Sequence, residues 1–245
     1  VSTSLAAPTR AAAFQTRAQL IGAAGGLIAP VVALVGLFGS GVMPPDPANL
    51  SADQVAAAYA EHGGLRIAGL VIGFMAIGMV GPLVTVISIQ LRRIEVAPYF
   101  GSTLQRVAGT VTWVMLTMPL LILLVAAFRP ERNPEITQTL HDLGWILFLI
   151  PVAPFLVQNL AIAAVILSDS AERPRYPRWV AYANVLIAAS FFPDLVLGYF
   201  TTGPLAYQGV FCFWIPTVTY GLWLNIMGFT TWQAIRHDSR TATQP

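Results

Sequence analysis

Six apolar runs, at about residues 18–43, 65–91, 107–128, 141–168, 179–200 and 209–233, leave this chain few ways to fold. Each is near or above the roughly 20 residues that a helix needs to cross the hydrocarbon core of a bilayer. Only 10% of the 245 residues are charged, against about 25% in soluble domains. So few charges cannot clothe a protein of this size in a water-facing surface. The expectation is an all-α, polytopic membrane bundle of six transmembrane helices over residues 18–235. Residues 1–17, small and Ala-rich, read as a disordered tail, and residues 236–245 as a second tail. The first run is too long for a signal-peptide core and no convincing cleavage site follows it, so it reads as a retained helix.

The links between the runs set the orientation. Arg10, Arg17, Arg92, Arg93, Arg106, Arg173, Arg175, Arg178, Arg236 and Arg240 fall on one side; Arg66, Arg129 and Arg132 fall on the other. Short positively charged loops stay in the cytoplasm. Both tails are therefore expected to be cytoplasmic, in a multi-pass protein of the cell (inner or plasma) membrane.

Composition removes several chemistries. All 13 basic residues are arginine, so no Schiff-base, pyridoxal or P-loop lysine exists. The single cysteine, Cys212, allows neither an intrachain disulfide nor a cysteine zinc site. A net charge of +2, with no basic stripe, gives no footprint for nucleic acid. His62 and His141 make a poor haem pair, because His62 sits beside Gly63-Gly64, and no His-x-x-x-His spacing offers metal ligands. No cofactor and no metal is expected.

Local signals fill in the path of the chain. Met43-Pro44-Pro45-Asp46-Pro47 must be extended. Ser51-x-x-Gln54 then reads as a capping box that starts a short helix, about 52–61, with Val55 and Tyr59 on one face. Its expected place is the outer membrane surface. Gly22 and Gly26 in the first run, and Gly69 and Gly73 in the second, form small-residue faces for close helix packing or for a homo- or hetero-oligomer. Prolines 82, 119, 151, 154, 193 and 216 interrupt the later runs, and such kinks open cavities in bundles.

The groups that carry chemistry gather towards the outer side. Asp194, in Phe-Phe-Pro-Asp-Leu-Val, is the most informative. Placing a carboxylate at mid-membrane costs at least about 2.5–3.5 kcal/mol, so it is expected to face the bundle interior. Arg66, Arg129 and a protonated His141 are the cations available to it. Asp142 reads equally as a helix start capped by Thr139, and Trp145 as part of an aromatic belt. In company, Asp194, Asp142, His141, Arg66, Arg129 and Trp145 form a candidate ligand pocket. A structural ion pair is the competing account of Asp194. The amides of Gln158, Asn159, Asn184 and Asn225 read as bonds between helices.

Pro44-Pro45-x-Pro47, Phe128-Arg129-Pro130-Glu131-Arg132, Asp142-Leu143-Gly144-Trp145, Pro177-Arg178-Trp179 and Gly203-Pro204 resemble an uncharacterised family of bacterial six-helix integral membrane proteins. The resemblance spans about residues 40–235. It implies the architecture and lends no catalytic residue. The function expected from the residues is binding or transport of a small amphipathic molecule through a polar pocket on the outer side, with the bilayer as surroundings. A membrane enzyme acting on a lipid or isoprenoid, through Asp142 or Asp194, and a non-catalytic subunit of a larger complex are the alternatives. No motif decides among them.

Overall fold

The computed structural model describes residues 10–241, with side chains through Arg236. All regular structure among these residues is helical. Eight α-helices are present: α1 Arg10–Ala33, α2 Ala52–Gly78, α3 Val80–Leu91, α4 Phe100–Phe128, α5 Pro134–Leu149, α6 Ala153–Ser168, α7 Arg178–Ala189 and α8 Ile215–Thr241. Two π segments, Leu34–Phe38 and Val210–Trp214, and a 3-10 segment, Phe192–Tyr199, extend α1, α8 and α7. Together they make six spans long and apolar enough to cross a membrane: Arg10–Phe38, Ala52–Leu91, Phe100–Phe128, Pro134–Ser168, Arg178–Tyr199 and Val210–Arg236. This is compatible with a multi-pass membrane protein.

Proline explains most of the subdivision. It lacks the N–H that would bond the carbonyl four residues back. Span 2 breaks at Met79, one turn before Pro82. Span 4 breaks around Pro151, and Pro154 sits in the first turn of α6. In span 5 the α-helix stops at Ala189 and Pro193 opens the 3-10 segment. α1 and α4 carry Pro30 and Pro119 inside their α-helices without a break.

The six spans form a ring in which each packs on its sequence neighbours and the first meets the last, while span 2 also packs on spans 4 and 6. The seam between α1 and α8 is tight: a Cβ at Gly26 would lie 2.8 Å from the Leu224 carbonyl oxygen and 3.1 Å from Gly228 Cα. Gly22 abuts Val86 and the Pro82 carbonyl, Gly69 abuts Ser40 and Gly36, and Gly73 abuts Leu37 and Leu120. All four glycines therefore serve close helix packing within this chain.

The loops fall at two ends. Segments 39–51, 129–133 and 200–209 meet at one, where the Ala48 amide donates to Gln208 and the Gln138 amide donates to the Leu50 carbonyl. We call this the Asp46 end. At the other, Arg175 donates to Gln90, which donates to Gln19, and Tyr176 bonds Thr231 at 3.0 Å. This is the arginine-rich end.

Several expectations shift. The capping box forms with both bonds, Ser51 Oγ accepting from the Gln54 amide and Gln54 Oε1 from the Ser51 amide. The helix it starts is not a separate surface element. It continues into the second span through one non-helical residue, His62 (φ −121°, ψ 15°). Val55 and Tyr59 are buried against Ala126 and Ala127, which is why the segment stands on the bundle. Residues 10–17, read as tail, belong to α1, and residues 236–241 belong to α8. The tail reading of 1–9 and 242–245, and the side chain of His237, lie outside the described residues.

Candidate functional site

Two separate sets of polar groups lie in the half of the bundle nearer the Asp46 end. The first is built around Arg66, one turn past the His62 kink. Its buried Nη1 donates to Asp46 Oδ2 at 2.8 Å, and its guanidinium stands 4.7 Å from the Tyr59 ring centre. The ring quadrupole attracts that cation. The Tyr59 hydroxyl shares a 3.0 Å hydrogen bond with His141 Nδ1. His141 is buried two turns into α5, with Tyr59, Trp145 and Tyr207 edge-on around it. Tyr207, from the 200–209 loop, donates to Asp142 Oδ1 at 3.0 Å. Burial, and then the Asp142 carboxylate, hold the Tyr207 hydroxyl protonated well above the ordinary tyrosine range.

Arg66 Nε, His141 Nε2 and Trp145 Nε1 have no hydrogen-bond partner among the described residues. All three side chains line a cavity of about 10 Å³ together with Val42, Tyr59, Leu70 and Leu123. That is room for roughly one water-sized atom. This set ties two loops to α2 and α5 and has no space for an organic ligand.

The second set lines a cavity of about 400 Å³ at the centre of the ring, to which all six spans contribute. Pro30, Pro151 and Pro216 are in its wall, so the space lies where helices deviate from straight packing. The wall is apolar except for Asp194, Thr112, Thr217 and Tyr220. Thr112 bonds the Ala108 carbonyl of its own helix. Asp194 is 1% exposed, and no N–H or O–H group among the described residues donates to either carboxylate oxygen. The polar group beside it is the Cys212 thiol, whose bonds run to the carbonyls of Pro193 and Leu205 at 3.4 and 3.3 Å. The thiol has one hydrogen to share among these two carbonyls and Asp194, so at most one weak S–H bond reaches the carboxylate, whose other lone pairs have no donor among the described residues. The Tyr220 hydroxyl is likewise buried without a partner.

The six residues singled out from the sequence do not form one pocket. Arg66, His141 and Trp145 converge on the small cavity, and Asp142 joins them through Tyr207. Asp194 lines the large one. No cation pairs with Asp194 within 4 Å among the described residues. The ion pair expected for it is not there, because Asp46 has taken Arg66. Arg129 is exposed at the end of α4, 5.7 Å from the Phe128 ring centre, and belongs to neither set. Thr139 is not a cap: α5 begins at Pro134, with Asn133 accepting from the Glu135 amide at 2.9 Å. Asp142 therefore sits two turns inside α5, away from its positive end. His62 is exposed beside Glu61, at 3.9 Å. Of the inner amides, Asn184 accepts from Trp223 Nε1 at 3.0 Å across helices, whereas Asn159 and Asn225 bond only their own helix backbone.

Sequence reasoning missed Asp46, Tyr207 and Tyr220. Asp46 lay in a proline-rich loop and carried no periodicity. Tyr220 sits one turn past Pro216, and that spacing was its available signal. Among the described residues no three histidine, cysteine or carboxylate side chains assemble for a metal. Compared with protein-family models, curated proteins and solved structures, the chain finds no match.

Proposed function

We propose that this chain is a multi-pass protein of the cell membrane that binds, or carries across part of the membrane, a small amphipathic molecule in the six-span cavity. The observation that supports this is one buried carboxylate, with no cation beside it among the described residues, in a largely apolar wall. Small-molecule sites enclose about 300–1,000 Å³, mostly apolar, with a few convergent polar groups. The cavity of about 400 Å³ with Asp194 and Tyr220 has that form. The arginine count supports cytoplasmic placement of both chain ends, and the cavity then lies in the outer half of the bundle.

Gly221 supplies the test. It lines the cavity, and a Cβ built there meets nothing within 4 Å. Gly221→Leu should therefore fill space without forcing the helices apart. The probe is 12-bromododecan-1-ol in phosphatidylcholine nanodiscs, read by bromine quenching of Trp214 at the cavity lip, with Trp214→Phe as the blank. Saturable quenching, reversed by excess dodecanol and lost in Gly221→Leu, is expected. Quenching equal in the filled variant refutes the reading.

A further inference from the structure

We propose that the ligand of the six-span cavity is an organic cation: an alkyl ammonium whose head pairs with Asp194 and whose chain reaches it from the bilayer, between α1 and α8. This rests on the cavity being a binding site, and it adds the ligand's class and its direction of approach.

The charge argument comes first. A buried carboxylate needs a cation, a proton or several hydrogen bonds. Among the described residues the chain supplies Asp194 with no cation and with no donor stronger than the Cys212 thiol beside it. No arginine or histidine lines the cavity. A fatty carboxylate or a phosphate ester would meet like charge there with nothing to offset it. An alcohol would gain one hydrogen bond. An ammonium gains a charge-assisted bond in an apolar surrounding, where such bonds are stronger.

The aromatic wall agrees. Phe155, Phe191 and Tyr220 line the cavity, with Phe155 edge-on to the other two at centroid distances of 4.9 and 5.2 Å. Ring faces attract alkyl ammonium groups. The unpartnered Tyr220 hydroxyl adds a second acceptor on the same wall. Carboxylate plus aromatic faces is a donor set for a cation, and among the described residues no cationic side chain lines the wall to hold an anion.

The route follows from which lining residues are exposed. They are Leu34, Trp214 and Val218, all on the facing edges of spans 1 and 6. One to two turns further along α8 the same helices close together, with Gly26 against Leu224 and Gly228. The mouth is therefore a lateral gap with apolar lips. A chain lying in it stays in hydrocarbon throughout, while its head reaches Asp194.

The test is competition against the bromododecanol signal by dodecylammonium, dodecyltrimethylammonium, dodecanol and dodecanoate, in zwitterionic nanodiscs at neutral pH. The two cations should compete at about tenfold lower concentration than dodecanol, and dodecanoate should be the weakest. Asp194→Asn should bring the cations to the level of the alcohol, whose own affinity reports that the cavity is intact. Asp194→Glu should restore part of the preference. Leu34→Trp, at the lip, should slow the onset of quenching. If dodecanol competes but the cations do no better, or if Asp194→Asn keeps their advantage, the cation assignment is overturned while the cavity reading stands. If no probe competes, both fall.

Discussion

The seam between α1 and α8 gives a prediction whose size can be worked from distances. Gly26→Ala places a methyl 2.8 Å from the Leu224 carbonyl oxygen, 2.8 Å from Leu83 Cδ2 and 3.1 Å from Gly228 Cα. Carbon contacts relax at about 3.5–4.0 Å, so the helices must part by several tenths of an ångström. Two of the three obstacles are backbone, which cannot rotate away. Overpacking of this kind costs about 1–3 kcal/mol. Alanine's higher helix propensity returns up to about 1 kcal/mol. Gly221→Ala separates the two terms, because a methyl there meets nothing and only the propensity gain remains. The expected difference between the variants is therefore about 1–3 kcal/mol, with Gly26→Ala the less stable. Reversible unfolding in mixed micelles by SDS titration measures both on one scale. A difference within about 0.5 kcal/mol, the usual noise of surface substitutions, would show that the seam yields and would refute the close-packing argument.

Two further predictions follow from the polar set and from the arginines. The Arg66 side chain is 8% exposed and that of Asp46 24%, so Asp46→Asn, which strands the buried guanidinium, should cost about 3–5 kcal/mol. Arg66→Met should cost less, since the remaining carboxylate keeps access to water, and the double variant should recover part of the loss. The opposite order in the same SDS titration would refute the assignment of which charge depends on the other. For topology, Glu131→Cys should react with an impermeant thiol reagent from outside intact cells, and Ser170→Cys only after permeabilisation, in a Cys212→Ala background. Both replaced residues are exposed in loops at opposite ends, and the reverse pattern would overturn the arginine argument.

What was legible in the sequence is what a bilayer imposes on any chain. Span number came from apolar length, helix breaks from proline, and the burial of Asp194 from the cost of a charge in lipid. Those constraints act locally or through the solvent. The partner of Arg66 depended on where a loop folds back, and nothing periodic marks Asp46. Which cavity Asp194 lines was not legible, because α7 gives way to a 3-10 segment around Pro193 and the change of pitch discards helical phase. The helix at 52–61 was found by its capping box, yet its fate turned on a single residue's dihedral angles at His62. The start of α5 lay seven residues earlier than the apolar run, because Asn133-Pro134 is a cap and first-turn pair that hydropathy does not see.

The closure of the ring between α1 and α8 also sets a timetable. Spans that follow one another in the chain can dock as soon as the second member is made. The glycine face of α1 has to wait for α8, nearly the whole chain later. At ~5–20 residues per second, that delay is roughly ten to forty seconds. During this interval Gly22 and Gly26 have only α3 to lean on, and the ring is an open arc with lipid where its last segment will stand. A ribosome stalled before residue 210 would thus leave an arc whose unfilled edge is the same edge that, in the finished protein, borders the lateral gap.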